Sequence, residues 1–475
     1  MLALLMALAG PPHSLVLAGE EGGLNYPAWY TGCLLAWMAI WWMTEPIPIP
    51  ATSLLPLIVL PLADAGNPTV VGGNYFDHIV VLLLGGFIVA MGIERWDLHK
   101  RIALNIVTRV GTNPKALIFG FMVATALLSM WISNTATTIM MVPIALSAAA
   151  ALPGDTKPFT VALLLGVCYA ASIGGVGTPI GTPTNLIAMD WLQNNTGAKI
   201  GFAQWMAFGI PAAFLLVPAA WWAVTRGLSR TRAGHAVGAE IRDQLRALGP
   251  TSTPEARAAG VFAIVATLWV LQLPILALAE RAGFDLLVSY KGARMDMITA
   301  IFGAMLMFII PAGREEKRAL LNWEEAEKLP WGVLILFGGG IALGKAITRT
   351  GLSDWIGSQL TVLSVLPPLL FIVAVVALVI FLTELTSNVA TMTTLAPILG
   401  ALALAIGAAP ESLLAPAAVA ASCAFMLPVA TAPNAIIYAT GKVSVARMMT
   451  AGLRINLIGI LVISAIGYWL APLFL

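Results

Sequence analysis

The stretch "WISNTATTIM", residues 131–140, places five polar side chains inside an apolar run that carries no charged residue from position 116 to position 154. Polar residues in membrane segments most often join neighbouring helices through hydrogen bonds, and a single such stretch would be interpreted that way. A turn within a membrane also frees backbone groups, which cannot face lipid and must be buried or line a water-filled cavity. The rest of the sequence decides between packing and a binding site.

The composition is that of a membrane protein. Of the 475 residues, 59% are hydrophobic and 10% are charged, whereas a soluble domain carries about 25% charged residues. With about 20 residues in each spanning helix, the chain has room for roughly ten to twelve membrane segments. The long apolar runs lack the alternation of a β-barrel, so we predict an all-α polytopic membrane protein. The net charge of +2 gives no reason to expect a nucleic-acid partner.

The polar stretch occurs twice. "SNTATTIMMVPIAL" begins at Ser133 and "SNVATMTTLAPILG" begins at Ser387, each within an apolar block about twice as long as one membrane crossing needs. An apolar block broken by glycine or proline follows each of them, with "GTPIGTPTNLIA" from Gly177 and "LPVATAPNAIIYA" from Leu427. We therefore predict two repeats, each containing a hairpin and a broken helix.

The two repeats are predicted to have opposite orientations in the membrane. Their first segments, 82–104 and 334–356, share paired glycines, which predict close helix packing. We assume that each hairpin enters and leaves the membrane on the same side and that every other apolar block, including 258–279, crosses once. Most of the 25 basic residues then lie on one side of the membrane. Lys and Arg accumulate in cytoplasmic loops, so this side, with the hydrophilic loops 226–257 and 313–330, is predicted to be cytoplasmic. Inverted repeats with interrupted helices at matching positions indicate the binding site of a secondary transporter.

The segments predicted to line this site carry almost no charge. Residues 116–154, 158–189 and 412–441 contain no Asp, Glu, Lys or Arg, and 366–409 contains only Glu384. Helix N-termini, Asn amides and hydroxyls can hold an oxyanion, while carbonyl and Asn oxygens suit a hard cation such as Na⁺. Burying an anion without a countercharge is costly, so we predict cation-coupled transport. Glu384 has two interpretations, a proton-coupling acid or a residue that forms hydrogen bonds within the transport region.

Other classes of function lack the residues that they need. An intramembrane enzyme needs a constellation such as Ser with His, and none of the four His residues lies in the lining segments. The His and Cys residues show no metal-ligand spacing, and two dead-end hairpins differ from the continuous pore of a channel. We therefore predict a carrier and not an enzyme. A dicarboxylate exchanger and a proton-coupled, sulfate-like anion permease remain as alternatives to a Na⁺-coupled symporter.

Three motifs resemble one family of transporters. "WWMTEPIPIPATSLLPLIVLPL" (residues 41–62), the two Ser-Asn stretches and "GTPIGTPTNL" (residues 177–186) are similar to the divalent anion/sodium symporters, the INDY-type di- and tricarboxylate transporters. The resemblance implies a homodimer in the cell inner membrane, with a transport domain that moves against a scaffold by an elevator mechanism. It implies Na⁺-coupled symport of a C4-dicarboxylate such as succinate, malate or fumarate, with citrate as a further candidate, and no organic cofactor.

The resemblance also divides the chain into regions. We predict N-terminal scaffold helices over 1–94, followed by a first transport region over 95–225 that contains a hairpin at 116–152, a broken helix at 158–189 and a following helix. A cytoplasmic loop over 226–257 and scaffold helices over 258–347 come next. A second transport region over 348–475 contains a hairpin at 366–409, a broken helix at 412–441 and a last helix. The apolar "MLALLMALAG" at the N-terminus is predicted to be a partial first helix.

Site residues follow from the matching motifs. The resemblance implies two Na⁺ sites, the first formed by Ser129, Ser133, Asn134 and the Gly181 carbonyl, and the second by Thr383, Thr386, Asn388 and the Ala430 carbonyl. It implies a substrate site formed by Asn134, Thr135, Thr182, Asn388, Val389, Thr431 and Ala432. Val389 and Ala432 depart from the family pattern, which has a threonine at the first position and often a proline at the second. These two departures leave the identity of the anion open.

Overall fold

The structure is a computed structural model that describes residues 24–110, 113–152, 156–198, 200–226, 228, 234–283, 293–314, 316–353, 355–356 and 367–475. The partial helix predicted at the N-terminus lies outside these residues. Within them, the regular secondary structure is helical, apart from an isolated bridge between Pro311 and Ala319. The prediction of an all-α protein is confirmed.

The helices are numbered in chain order within the described residues. They are α1 (Tyr26–Thr44), α2 (Ile49–Thr52), α3 (Pro56–Leu62), α4 (Pro68–Gly73), α5 (His78–Arg95), α6 (Leu98–Arg109), α7 (Pro114–Ser129), α8 (Asn134–Ala150), α9 (Lys157–Gly175), α10 (Pro183–Thr196), α11 (Phe202–Thr225), α12 (Gly234–Ala247), α13 (Thr253–Val270), α14 (Gln272–Arg281), α15 (Ala293–Ile309), α16 (Trp323–Ala326), α17 (Trp331–Arg349), α18 (Pro368–Thr383), α19 (Asn388–Ala405), α20 (Glu411–Ala421), α21 (Ala432–Ala439), α22 (Val445–Trp469) and α23 (Ala471–Phe474). A short 3-10 helix (Asn74–Phe76) separates α4 from α5.

Several helices are long and apolar enough to cross a membrane. Within the described residues, six segments are long and apolar enough to cross a bilayer: α4 through α5, α9, α11, α17, α19, and α22 with α23. The pair α13 and α14 makes a seventh if it is one span. The estimate of ten to twelve segments came from the length of the chain, whereas several apolar helices, such as α7, α8, α18 and α20, are only 10–17 residues long. These shorter helices belong to the predicted hairpins and broken helices.

The apolar block predicted to cross once at 258–279 is bent. It consists of α13 and α14, which meet at Leu271 with an angle of 71°. Pro274 explains the bend, because a proline ring clashes with the carbonyl four residues earlier, here that of Val270 at the end of α13. Asp296 fixes the bend from α15, since its Oδ1 atom accepts a hydrogen bond from Gln272 Nε2 at 2.9 Å.

Capping residues determine where several helices begin and end. Asn25 and Asn113 begin α1 and α7, because their side-chain oxygens accept hydrogen bonds from backbone amides of the first turn. α1 ends at Glu45, which has a left-handed conformation with φ of 47°. Pro46 and Pro48 follow, and neither can continue a helix. The "TEPIP" part of the family motif is therefore a helix stop.

The segment predicted as a cytoplasmic loop, residues 226–257, contains a helix. α12 occupies its centre, and its residues Val237 and Ile241 are fully buried. Their spacing of four places both side chains on one face, which packs against α6 and α8. Ser147 Oγ of α8 donates a hydrogen bond to Glu240 Oε1 at 2.7 Å. The loop prediction missed this amphipathic helix because its polar face dominates the local composition.

Glycines allow helices to pack closely, as the sequence predicted. A Cβ atom on Gly85 would lie 2.6 Å from the backbone of Ala300 in α15, and one on Gly339 would clash with the Ser53 carbonyl.

Two hydrophobic clusters form the core of the described residues. The smaller cluster joins α1 with α17 and reaches Ala390 at the start of α19, and the larger cluster holds the hairpins and broken helices together.

Candidate sodium and substrate site

Each long apolar block folds into two helices joined by four residues. The first block pairs α7 with α8, and the second pairs α18 with α19. Ser133 and Ser387 cap the second helix of each pair by accepting a hydrogen bond from the backbone amide three residues later. This places Asn134 and Asn388 in the first turn of α8 and α19, where backbone N–H groups have no partner within the helix.

Each broken block also consists of two helices. Residues 176–182 separate α9 from α10, and residues 422–431 separate α20 from α21. The second piece of each block crosses to the other half of the chain, because α10 packs against α19 and α21 packs against α8. Thr184 Oγ1 lies 2.8 Å from Ser422 Oγ. The two halves therefore meet at their breaks.

A buried cluster of oxygen atoms lies beside the tip of the first hairpin. Ser129 Oγ is 2.7 Å from Asn134 Oδ1 and 2.7 Å from the Ala171 carbonyl oxygen. A hydroxyl has one proton and can satisfy only one of these acceptors. The cluster therefore contains more acceptor oxygens than protons to share among them, an arrangement that favours a cation.

Three of the four predicted ligands of the first Na⁺ site converge at this cluster. A Cβ atom on Gly175, the last residue of α9, would lie 2.6 Å from Asn134 Oδ1 and 3.1 Å from the Gly181 carbonyl oxygen. Asn134 and Gly181 therefore approach the same point, next to Ser129. The hydroxyl of Ser133 caps α8 and is exposed, so it does not join the cluster.

The second hairpin repeats part of this arrangement. Thr383 Oγ1 is 3.0 Å from Asn388 Oδ1 and 2.8 Å from the Ala421 carbonyl oxygen. The Thr386 hydroxyl instead contacts a threonine hydroxyl of α19 and a carbonyl of α18. Within the described residues, the hydroxyl of Thr386 thus makes no hydrogen bond to Asn388, as the hydroxyl of Ser133 makes none to Asn134 in the first half.

Two asparagines that were not predicted as site residues hold the breaks in shape. Asn185 Nδ2 donates to the carbonyls of Gly175 and Thr178 at 3.0 and 2.7 Å, ten and seven residues earlier in the chain. Asn434 Nδ2 makes the same two bonds across the second break, at 3.0 and 2.8 Å. Each asparagine follows the predicted substrate threonine of its half by three residues. This matched spacing was the signal that could have identified them.

The predicted substrate residues present their side chains differently in the two halves. The Thr182 side chain makes no capping bond at the start of α10, and Thr135 is half-buried beside Asn134. Thr431 Oγ1 accepts a hydrogen bond from the backbone N–H of Asn434 at 3.2 Å, so its own hydroxyl proton is left for donation. Ala432, next to it, is exposed. Both breaks therefore offer a hydroxyl at the start of a helix.

Glu384 supports the second break. Its carboxylate accepts hydrogen bonds from the backbone N–H groups of Phe425, Met426 and Leu427 at 2.8–3.2 Å and from Asn456 Nδ2 at 2.8 Å. The side chain is 4% exposed. These amides lie where the chain leaves α20, and buried backbone groups require partners. Of the two interpretations of Glu384, the hydrogen-bonding role is the one that this geometry supports.

Replacing Glu384 by glutamine should destabilise the protein. The glutamine amide presents N–H groups to backbone N–H groups, and each donor left without an acceptor costs about 1–3 kcal/mol. The thermal unfolding midpoint of the purified protein measures the effect. Glu324→Gln, on the exposed surface of α16, is the matched control and should change stability by less than about 0.5 kcal/mol. Unchanged stability together with the loss of a pH-dependent transport step would instead assign Glu384 to proton coupling.

Solved structures share this fold. The YdaH transporter of Alcanivorax borkumensis aligns with a TM-score of 0.59 and 16% identity, over 94% of this chain and 98% of that one. MtrF of Neisseria gonorrhoeae, described as one of a class of antimetabolite efflux pumps, aligns with a TM-score of 0.60 and 14% identity, over 97% of both chains. At this level of identity the likeness concerns the fold alone. It places the chain among polytopic helical membrane proteins.

Sequence relatives are more specific. The sequence profile described as "Sodium:sulfate symporter transmembrane region" matches residues 2–475. The sodium-dependent dicarboxylate transporter SdcS of Staphylococcus saprophyticus is 42% identical over 92% of this chain and 85% of its own length. SdcS of Staphylococcus aureus strain MRSA252 is 42% identical over 94% of this chain and 86% of its own length. The resemblance predicted from the motifs is confirmed, and the chain belongs to the sodium:sulfate symporter family, a family of multi-pass membrane transporters and not of enzymes.

Proposed function

We propose that the protein is a secondary active transporter that carries a C4-dicarboxylate, such as succinate, malate or fumarate, together with Na⁺. The observation that carries the proposal is the oxygen cluster of Ser129 and Asn134, with its counterpart at Thr383 and Asn388. Its lining segments hold no Lys or Arg, so a buried dianion needs a mobile positive partner. The names of the Staphylococcus relatives support both the substrate class and the coupling ion.

Uptake of labelled succinate into proteoliposomes tests this function. We expect succinate to accumulate against its gradient when an inward Na⁺ gradient is imposed, and not when choline replaces Na⁺. A dicarboxylate exchanger would take up succinate only into vesicles preloaded with dicarboxylate, whatever the Na⁺ concentration. A proton-coupled permease would respond to an inward proton gradient without Na⁺. Either of these results would overturn Na⁺ symport.

We further propose that the two halves are inverted repeats whose hairpins and broken helices form one transport domain moving as an elevator. The crossing of α10 and α21 between halves supports a single moving body, and the packing of α5 against α15 and of α1 against α17 supports these four helices as the scaffold. Polar contacts across this boundary include His78 Nε2 to Gln193 Oε1 at 3.2 Å and Thr348 Oγ1 to Asn195 Oδ1 at 2.7 Å. An elevator motion has to break these contacts at the end of α10.

The placement in the cell is part of the same proposal. The protein is a homodimer in the cell inner membrane, with residues 226–257 and 313–330 in the cytoplasm. The excess of Lys and Arg on that side supports the orientation. In this orientation, an inward Na⁺ gradient drives uptake of the dicarboxylate.

Replacing Val389 by threonine should tighten the binding of succinate. Threonine is nearly isosteric with valine and adds a donor beside Asn388, and a hydrogen bond to a charged group is worth about 1.5–3 kcal/mol. We expect the half-saturation concentration for succinate uptake to fall about tenfold. The opposite change in the first half, Thr135→Val, should raise it. Val389 also packs against both hydrophobic clusters, and an unchanged half-saturation concentration at normal expression would assign it to packing alone.

A further inference from the structure

A large cleft opens at one end of the helix bundle. It lies between the N-termini of α9 and α22 and the C-termini of α11 and α21, with a volume of about 1380 Å³. We call it the basic cleft because its lining includes five cationic side chains, those of Lys157, Arg226, Lys442, Arg447 and Arg454. Among the described lining residues there is no Asp or Glu.

Side chains, not helix dipoles, give the basic cleft its charge. Two helix N-termini and two helix C-termini end there, so their partial charges roughly cancel. Within the described residues, Lys442, Arg447 and Arg454 form no ion pair with an acidic residue. Repulsion among these cations remains, and a bound anion would relieve it.

The walls of the basic cleft also contain an apolar part. Val161, Leu165 and Val224 line it beside the cations. Arg226 at its edge lies over the ring of Trp222, with its guanidinium carbon 5.1 Å from the ring centroid, and Trp222 is 47% exposed. Exposed tryptophans and basic residues mark the boundary between lipid and water. A cationic rim beside an exposed tryptophan is typical of the level where lipid headgroups lie.

Size and surroundings favour a lipid over a small anion. Sites for small molecules measure about 300–1,000 Å³, so phosphate or a C4-dicarboxylate would leave most of the basic cleft unfilled. Leu453 and Leu457, on either side of Arg454 along α22, are 40% and 52% exposed and offer an apolar surface for acyl chains. Basic pockets between transmembrane helices on the cytoplasmic side bind anionic lipid headgroups.

We propose that the basic cleft binds the phosphate headgroup of an anionic phospholipid. The headgroup contacts the cations of the cleft, which lie in α9 and α22 and just after α11 and α21, and its acyl chains lie along the exposed face of α22. The site is distinct from the oxygen clusters of the hairpins and does not depend on which substrate is carried. α21 nevertheless connects the two, since it begins beside Thr431 and ends in the wall of the cleft.

Lipid binding to the purified full-length protein in detergent tests the proposal. Phosphatidylglycerol is the probe, and phosphatidylcholine with the same acyl chains is the neutral reference, with affinities measured by native mass spectrometry. We expect phosphatidylglycerol to bind at least about tenfold more tightly than phosphatidylcholine. The triple variant Lys442→Gln, Arg447→Gln, Arg454→Gln should lose at least about tenfold of the phosphatidylglycerol affinity. Binding of phosphatidylcholine should not change.

A matched control distinguishes lipid binding in the basic cleft from a general effect of positive charge on the protein surface. Arg109, Lys317 and Lys328 are exposed basic residues outside the cleft, and replacing all three by glutamine should leave phosphatidylglycerol binding unchanged. Equal loss in both triple variants, or equal affinity for the two lipids, would overturn the proposal. Displacement of the lipid by millimolar phosphate or succinate would indicate a site for free anions instead. If the cleft variant unfolds, Arg454→Gln alone should still weaken phosphatidylglycerol binding about fivefold.

Discussion

Succinate uptake should fall when either Asn134 or Asn388 is replaced by alanine. Each side chain supplies the Oδ1 atom that lies against the hydroxyl of Ser129 or Thr383. Alanine removes this proposed Na⁺ ligand, and the loss of one polar contact to a charged group costs about 1.5–3 kcal/mol. We therefore expect Na⁺ affinity to fall by about one to two orders of magnitude and succinate uptake at physiological Na⁺ to fall with it.

Thermal stabilisation by Na⁺ provides a readout that does not depend on transport. A ligand that binds only the folded state stabilises it by RT ln(1 + L/Kd), where L is the free ligand concentration, so the unfolding midpoint rises with ligand concentration. Wild-type protein should be stabilised by Na⁺ relative to choline, and both alanine variants should lose most of this difference. Asn105→Ala is the control, because Asn105 is half-buried on α6 and donates to the Arg101 carbonyl away from the site. Normal Na⁺-dependent uptake by either site variant would refute the assignment.

The hairpins could be predicted because their tips are local features. Ser133 and Ser387 interrupt long apolar blocks, and serine followed by an apolar helix is an N-cap signal that does not depend on tertiary structure. The positions of Asn134 and Asn388 follow directly from these caps. The pairing of Ser129 with Asn134 was implied by the family resemblance alone, since the two residues are joined by the four-residue tip and not by a helical turn.

The bracing of the breaks could not be predicted in the same way. Asn185 and Asn434 bind carbonyls seven and ten residues earlier, across segments whose path is not set by any helical or strand period. Glu384 meets backbone amides about forty residues later in the chain, which only the packing of α18 against α20 brings close. Val237 and Ile241 of α12 did carry a helical spacing, but the surrounding charge concealed it. Contacts across a break depend on tertiary structure, and composition masks short amphipathic helices.

The Gly175→Ala substitution should reduce Na⁺-coupled uptake at least about tenfold. Its Cβ would lie 2.6 Å from Asn134 Oδ1 and 3.1 Å from the Gly181 carbonyl oxygen, so the methyl group would enter the space where these two proposed Na⁺ ligands converge. The ligands have to move apart or the ion is excluded, and either outcome weakens Na⁺ binding. A loss of about 1.4 kcal/mol in binding corresponds to tenfold. The measurement is the Na⁺ concentration that gives half-maximal succinate uptake.

Gly166→Ala on the same helix is the control for the loss of a glycine. Its Cβ would lie 3.1 Å from the side chain of Met122, and methionine is flexible enough to move away. The matching carbonyl in the second half belongs to Ala424, which already carries a Cβ atom, so the test is specific to the first site. If Gly175→Ala and Gly166→Ala have the same Na⁺ dependence as the wild type, the oxygen cluster beside Gly175 does not bind the coupling ion. If only Gly175→Ala needs more Na⁺, the cluster lies on the path of the ion, because the two variants differ chiefly in what the added methyl group meets.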